Sequence, residues 1–251
     1  KALAFFTIPI FTRLLTTSEY GIAQTYLSWV SILTLIVGLS LGNSIRTAYV
    51  DFHDDIEGYM SSIFGLSLLS FLVSSALIIA GMFIFGNIDI ILVICCLIQS
   101  YFQFVATAMT TKYMMKVDYI RKTLLLALPN LTIQVIAIFT IMNMHGDKKY
   151  FGYIIPYAAV YMVVGIYFVI SSFIRGKKPL NKLYWKYALT YSLPLIFHGL
   201  SLVLLSSSDR IMITTLYNSS EAGVYSLIYN LSMVAMAVTA SLEAVWVPWF
   251  T

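Results

Sequence analysis

The chain carries apolar stretches along its whole length, each long enough to cross a lipid bilayer. A hydrocarbon layer of about 30 Å requires roughly 20 helical residues. Hydrophobic residues make up 60% of the 251 residues and charged residues only 10%, which a soluble core cannot accommodate. We therefore predict an all-α, multi-pass membrane protein. Its eight predicted transmembrane helices cover residues 1–16, 22–45, 60–85, 88–111, 123–143, 152–174, 187–213 and 222–249.

The fifteen basic residues are divided unevenly between the two sides of this predicted topology. Cytoplasmic loops of membrane proteins are enriched in Lys and Arg, so the side with more of them is predicted to be cytoplasmic. That side holds Lys1, Arg46, Lys112, Lys116, Arg121, Lys122, Arg175, Lys177, Lys178, Lys182 and Lys186, whereas the other holds Arg13, Lys148, Lys149 and Arg210. Because the positive charge is spread over short loops, no nucleic-acid partner is expected.

A short sequence occurs twice, as SEYG at residues 18–21 and as SEAG at residues 220–223. Each copy follows a predicted helix that contains a proline, Pro9 or Pro194, and an arginine. Membrane carriers are often built from two related halves. With six spans between the copies, the two halves would have the same orientation and would be related by an axis along the membrane normal.

The sequence around both copies resembles Wzx-type polysaccharide flippases of the oligosaccharide flippase family. Residues 5–15 (FFTIPIFTRLL) and 18–21 (SEYG) are similar to the opening of that family. Residues 192–194 (SLP), 206–213 (SSSDRIMI) and 221–226 (EAGVYS) are similar to the start of its second lobe. The resemblance covers all 251 residues, and because such proteins usually have twelve or fourteen spans, the chain is expected to be a fragment cut at both ends.

The resemblance implies a two-lobed flippase fold. Residues 1–174 would form the first lobe of six helices, residues 175–186 a basic cytoplasmic linker, and residues 187–251 the first two helices of the second lobe. It also implies a transporter and not an enzyme, located in the bacterial inner (cytoplasmic) membrane. The lobes would flip undecaprenyl-pyrophosphate-linked oligosaccharide units to the outer leaflet by alternating access, for surface polysaccharides such as O-antigen.

The expected partners are the polyprenyl-diphosphate-linked oligosaccharide, membrane lipids and the polysaccharide polymerase machinery, with no cofactor and no metal. The alternative function is that of a cation-coupled multidrug and toxin extruder, which belongs to the same superfamily. Such an extruder should have a cavity of mostly aromatic and carboxylate side chains with fewer arginines.

Three arginines are predicted to bind the diphosphate headgroup: Arg13, Arg46 and Arg210. A planar guanidinium can hold phosphate oxygens by two charge-assisted bonds at once and does not lose its proton. Each of the three lies at or near a predicted helix end, so the alternative is that it reaches to the interface or, for Arg210, pairs with Asp209. The related lipid II flippase uses arginines in its first two helices, which favours Arg13 and Arg46.

Two pairs of polar residues are candidates for a sugar-binding surface. Gln99 and Gln103 are four residues apart, as are Asn130 and Gln134, so each pair shares one helix face. The alternative for each pair is an interhelical hydrogen bond.

His198 and Glu243 are candidates for ion coupling. A histidine can change its charge near neutral pH, and a carboxylate within a membrane span is often part of an ion or proton pathway. The alternatives are a neutral packing histidine and an interfacial carboxylate. The coupling ion is left open.

One motif invites an enzymatic interpretation, because residues 38–42 (GLSLG) match the G-x-S-x-G pattern of a serine nucleophile. That pattern requires a strand–turn–helix context, whereas here it falls within a predicted membrane helix. Gly38 and Gly42 are instead predicted to form a G-x-x-x-G close-packing face. No enzymatic activity is expected.

Overall fold

The computed structural model describes the backbone of residues 2–85, 89–146 and 148–246 and the side chains of residues 7–82, 89–146 and 148–233. All regular structure in these ranges is helical, which confirms the predicted all-α fold. The helices are α1 (Ala2–Leu14), α2 (Thr17–Gly38), α3 (Ser44–Asp51), α4 (Ile56–Phe85), α5 (Ile90–Met115), α6 (Tyr119–Asn143), α7 (Tyr150–Gly176), α8 (Lys182–Leu216) and α9 (Ser219–Trp246), with a 3₁₀ turn at His53–Asp55.

Six helices within the described residues are long and apolar enough to cross a membrane. They are α2, α4, α5, α6, α7 and α8, and they confirm a multi-pass membrane protein. The first predicted span corresponds to α1, which is described over Ala2–Leu14. The last predicted span, residues 222–249, extends beyond the described residues.

The second predicted span, residues 22–45, is wrong at its end, because α2 stops at Gly38. Leu39 and Ser40 adopt the left-handed region of backbone conformation, with φ of 47° and 50°. The apolar pattern continues through this turn, and the core-forming Leu41 is fully buried. Hydrophobicity alone therefore gave no signal for the break that separates α2 from the short helix α3.

The predicted G-x-x-x-G face is likewise only half correct. Gly38 packs against the ring of Phe104 in α5, where a Cβ atom on the glycine would come 2.7 Å from Cγ of the ring. Gly42 lies in the turn and has nothing within 4 Å of its Cβ position. Gly38 thus serves close packing between α2 and α5, whereas Gly42 does not.

Four prolines lie inside helices: Pro9 and Pro194, as predicted, and also Pro129 and Pro156. Each removes one backbone donor from its helix, which bends the helix or loosens the preceding turn.

The helix α2 lies at the centre of the bundle, because it contributes to all three clusters of buried apolar side chains. Its carboxyl end supplies Val37 to the cluster with α3, α4, α5 and α8. Its first turns supply Tyr20 and Ala23 to the cluster with α1, α6 and α7. Its middle supplies Tyr26 and Val30 to the cluster with α5 and α7.

Charged residues predicted to share one side of the membrane meet at one end of the bundle. The carboxylate of Glu57 lies 2.7 Å from Nζ of Lys112 and 3.2 Å from Nζ of Lys116. Asp55 lies 2.6 Å from Nζ of Lys178. The connections before α4, after α5 and after α7 therefore occupy the same end, here called the basic end, as the predicted topology requires.

The connection between α7 and α8 is shorter than the predicted linker of residues 175–186, because both helices continue into it. Only residues 177–181 are non-helical. Asn181 begins α8 as its cap, and its side-chain oxygen accepts hydrogen bonds from the backbone N–H groups of Leu183 and Tyr184, at 3.0 and 3.4 Å.

The first turns of α8 are anchored on α3 and α4. The Tyr184 hydroxyl donates to Asp55 and the Tyr187 hydroxyl donates to Asp51, both at 2.5 Å. The indole N–H of Trp185 donates to the backbone oxygen of Ser62 at 2.9 Å. These contacts fix the end of α8 that is farthest from Arg210.

Candidate functional site

The two copies of the repeated sequence begin equivalent helices. At α2, the Thr16 side chain accepts from the backbone N–H of Glu19 at 3.2 Å, and the Glu19 carboxylate accepts from the backbone N–H of Thr16 at 2.9 Å. At α9, the Asn218 side chain accepts from the backbone N–H of Glu221 at 2.9 Å. A capping residue followed three positions later by Glu is a strong helix-start signal, so each copy marks the first turn of a helix.

The same two copies pack against each other where α2 crosses α9. A Cβ atom on Gly21 would lie 2.8 Å from the backbone nitrogen of Gly223 and would clash with the carbonyl oxygen of Ser219. The Thr17 and Ser220 hydroxyl oxygens lie 2.8 Å apart across the crossing. Small residues let membrane helices approach this closely. Both helices begin at the same end of the bundle, in agreement with the predicted relationship between the copies.

The helix α8 runs antiparallel beside α2 and completes a three-helix contact with α9. The hydroxyl oxygens of Thr25 and Thr214 lie 2.7 Å apart near the α2–α9 crossing. Farther along, the Cβ position of Gly199 lies 3.5 Å from the side chain of Leu35. One face of α2 is thus shared between α8 and α9, and the other packs on α5 and α7.

Two groups of hydrogen-bonded polar side chains pack together beside this contact. We call these two groups the polar seam, and its members are Tyr20, Gln24, Gln134, Tyr153, Tyr157 and Asn230.

The α6 and α7 part of the polar seam is a relay of three side chains. The Gln134 amide donates to the Tyr157 hydroxyl at 3.0 Å, and the Tyr157 and Tyr153 hydroxyl oxygens lie 3.2 Å apart. The Oε1 atom of Gln134 is buried and has no hydrogen-bond partner in the part of the chain that the structure describes. An unpaired buried acceptor carries a desolvation cost, so this carbonyl is available to a donor.

The polar seam continues from α7 through α2 to α9. Tyr153 and Tyr20 belong to the same cluster of buried side chains, and the Asn230 amide donates to the Tyr20 hydroxyl at 3.0 Å and approaches the Gln24 oxygen at 3.5 Å. Polar groups from four helices therefore meet within a bundle whose surroundings are apolar.

Arg210 lies next to this seam on α8. Its guanidinium carbon is 4.6 Å from the centre of the Tyr229 ring, a cation–π contact, and Tyr229 directly precedes Asn230 of the polar seam on α9. Its Nε atom is buried and has no hydrogen-bond partner among the described residues. Asp209 does not pair with it, since that carboxylate accepts from the Tyr225 hydroxyl at 2.7 Å. Arg210 is half-buried, and it presents a positive charge and a buried Nε–H donor next to the seam.

The other two predicted arginines are not brought together with Arg210. Arg13 is exposed at the end of α1, and Arg46 is exposed on α3. Neither forms an ion pair or hydrogen bond with the described residues. The 22 residues of α2 separate them by about 33 Å, at 1.5 Å per residue, so one diphosphate cannot contact both at once.

The four candidates for sugar binding have different surroundings. Gln99 is buried and accepts from the Tyr26 hydroxyl at 2.7 Å, an interhelical contact between α5 and α2, while Gln103 is half-buried on the same helix. Asn130 donates to the Leu126 carbonyl of its own helix at 2.6 Å. Only Gln134 belongs to the polar seam.

Of the two candidates for ion coupling, His198 is exposed on α8, and the side chain of Glu243 lies outside the described residues.

The sequence interpretation missed the tyrosines of the polar seam. Tyr20, Tyr153 and Tyr157 were counted with the apolar residues, although each carries a hydroxyl. The spacing of four between Tyr153 and Tyr157, which places both on one face of α7, was the signal that could have identified them.

These observations define a multi-pass, all-helical membrane protein with a polar seam and, beside it, a half-buried arginine that has no ion pair among the described residues. A family model described as polysaccharide biosynthesis protein matches residues 1–251. The chain belongs to this family, and its role is in polysaccharide biosynthesis. No curated protein and no solved structure gives a significant match.

Proposed function

We propose that the protein is a Wzx-type flippase of the bacterial inner membrane that moves undecaprenyl-pyrophosphate-linked oligosaccharide units to the outer leaflet. The observation that carries this proposal is Arg210, whose charge and unused Nε–H lie beside the polar seam. A cation inside a membrane bundle is costly unless it serves a ligand or pathway. Membership in the polysaccharide biosynthesis family supports a saccharide-bearing lipid as that ligand.

The side chains around Arg210 fit the two polar parts of this substrate. A guanidinium donates to phosphate oxygens with charge-assisted bonds. The amides of Gln24, Gln134 and Asn230 and the neighbouring tyrosines provide hydrogen bonds and ring faces for sugars. The polyprenyl tail needs no polar partner and remains in the surrounding lipid.

The three arginines act in succession along the path in this proposal. Arg46 lies at the basic end of α2, Arg13 at the opposite end, and Arg210 between them on α8. Arg46 takes the diphosphate from the inner leaflet, Arg210 holds it within the bundle, and Arg13 receives it at the outer side. Their spacing makes this sequential use physically consistent, whereas simultaneous binding is not.

Alternating access requires two lobes that move relative to each other. We assign residues 1–174 to the first, residues 187–251 to the second, and residues 175–186 to their connection. The Gly21–Gly223 crossing joins the two lobes at the outer end and acts as the outer gate, which opens when the substrate leaves.

The test is transport by purified protein in liposomes that contain a labelled polyprenyl-diphosphate oligosaccharide. Arg210→Ala and Arg210→Lys should each reduce flipping about tenfold or more, since lysine cannot form the two-pronged contact with phosphate. The matched control is Lys148→Gln, which removes an exposed charge outside the site. Unchanged flipping in both Arg210 variants would overturn the proposal, and export of small cationic drugs without glycan flipping would establish the multidrug extruder instead.

A further inference from the structure

A second site lies at the basic end, on helices other than α8 and α9. There a groove of about 770 Å³ opens between the carboxyl ends of α5 and α7 and the beginning of α6. Its walls include Leu124, Leu128, Val163 and Phe168, and Arg121 and Arg175 stand at its mouth. The groove therefore combines an apolar interior with a cationic rim.

The groove is oriented as a membrane lipid would be, with its charged rim at the interface and its apolar wall extending toward the middle of the bilayer. Leu128 lies seven residues beyond Arg121 on α6, about 10 Å deeper, and Val163 lies twelve residues before Arg175 on α7, about 18 Å deeper. Leu128 is 54% exposed and Val163 66% exposed, so the apolar wall is open to the side. An acyl chain lying along this wall would run from the interface toward the middle of the bilayer.

The rim carries more positive than negative charge. Arg175 is exposed and has no ion pair or hydrogen bond with the described residues. Arg121 has an exposed side chain and lies 3.3 Å from Asp118, while Lys112 and Lys116 share the single carboxylate of Glu57. The two lysines are therefore matched by Glu57 and do not line the groove, whereas the two arginines that line it are offset by Asp118 alone among the described ion pairs. This excess of positive charge favours an anionic headgroup.

We propose that this groove binds an anionic phospholipid of the adjacent leaflet. Its phosphate contacts Arg121 and Arg175, and one acyl chain lies along Leu128 and Val163. Two guanidinium groups at one rim can hold a phosphate from both sides with charge-assisted bonds. This site is independent of the proposed transport path, because none of its residues belongs to the polar seam.

The headgroup is tested by native mass spectrometry after equilibration with equal amounts of phosphatidylglycerol and phosphatidylcholine. The wild-type protein should retain phosphatidylglycerol selectively, and Arg121→Gln/Arg175→Gln should lose about tenfold of that retention. The matched control is Lys182→Gln/Lys186→Gln, which removes the same net charge from exposed positions on α8 and should retain the lipid. Equal loss in both double variants would show diffuse attraction to the basic end and overturn the site.

The acyl-chain contact is tested separately with Leu128→Trp and Val163→Trp, which fill the groove and keep both arginines. Retention of phosphatidylglycerol should fall in each variant, while an unchanged unfolding temperature verifies that the bundle is intact. If either tryptophan unfolds the protein, the other and the smaller Val163→Phe provide the same measurement. Undiminished retention in folded variants would overturn the chain contact, and complete displacement by a polyprenyl phosphate would assign the groove to that lipid instead.

Discussion

Gly21 and Gly223 lie against each other where α2 crosses α9, and each occupies the space that a side chain on the other would need. A Cβ atom on Gly21 would come 2.8 Å from the backbone nitrogen of Gly223, and one on Gly223 would come 3.2 Å from the backbone nitrogen of Gly21. The two residues hold the same position in the repeated sequence. The two copies of the repeated sequence therefore form an interface with each other.

This crossing should be captured by a disulfide. In a Cys95→Ala/Cys96→Ala background, Thr17→Cys/Ser220→Cys should bridge readily under mild oxidation, because the hydroxyl oxygens they replace are 2.8 Å apart. Mass spectrometry of the digested protein detects the bridged peptide. Thr17→Cys/Ser232→Cys is the control and should not bridge, since Ser232 lies about 18 Å farther along α9.

A side chain on Gly223 should force the two helices apart. Gly223→Leu is expected to destabilise the protein by on the order of 3 kcal/mol, because the backbone of Thr17 cannot yield to the added atoms. Thermal unfolding in detergent measures the effect. Gly81→Leu is the matched control, since no atom of the described residues lies within 4 Å of that Cβ position. Equal destabilisation by the two changes would contradict close packing at the crossing.

The buried Lys112 should depend on its carboxylate partner. Lys112 is only 3% exposed, so Glu57→Gln leaves a buried charge unpaired. The substitution should lower the free energy of unfolding by about 2–4 kcal/mol. Lys116→Met removes the exposed partner of the same carboxylate and should cost less than about 1 kcal/mol. The unfolding temperatures of the two variants provide the comparison, and an equal or reversed order would refute a buried pair.

The hydrogen bond between Tyr26 and Gln99 should be a stabilising contact between α2 and α5. Tyr26→Phe leaves the buried amide oxygen of Gln99 without its donor and should cost about 1–3 kcal/mol. Adding Gln99→Leu removes the unpaired acceptor, so part of the loss should be recovered. A double-mutant cycle of unfolding measurements gives the coupling, and strictly additive effects would show that the contact contributes nothing.

Much of the fold could be predicted from hydrophobicity and helix-start signals. The spans from α4 to α8 lie close to their predicted ranges, because each is bounded by polar or charged loops. The end of α2 could not be predicted, since Leu39 and Leu41 continue the apolar pattern through a turn. That turn lies beside the packing of Gly38 on Phe104, which only the assembled bundle reveals.

The candidate site could be predicted only in part, for a different reason. Residue type alone identified Arg210 as able to bind a phosphate and Gln134 as able to bind a sugar. The surroundings of both side chains depend on which helices pack together. The hydroxyl of Tyr157 joins the polar seam through the hydrogen bond that it accepts from Gln134, a contact that depends on the packing of α6 against α7. In the same way, Gln99 was separated from the seam by its bond to Tyr26.

The length of α8 has a mechanical consequence. Its 35 residues span about 52 Å, and its start is fixed by the hydroxyls of Tyr184 and Tyr187. Pro194 lies between that anchor and Arg210, which is 16 residues or about 24 Å farther along. Helices bend most easily at a proline. A change of about 10° in the bend at Pro194 would therefore displace the Arg210 charge by roughly 4 Å.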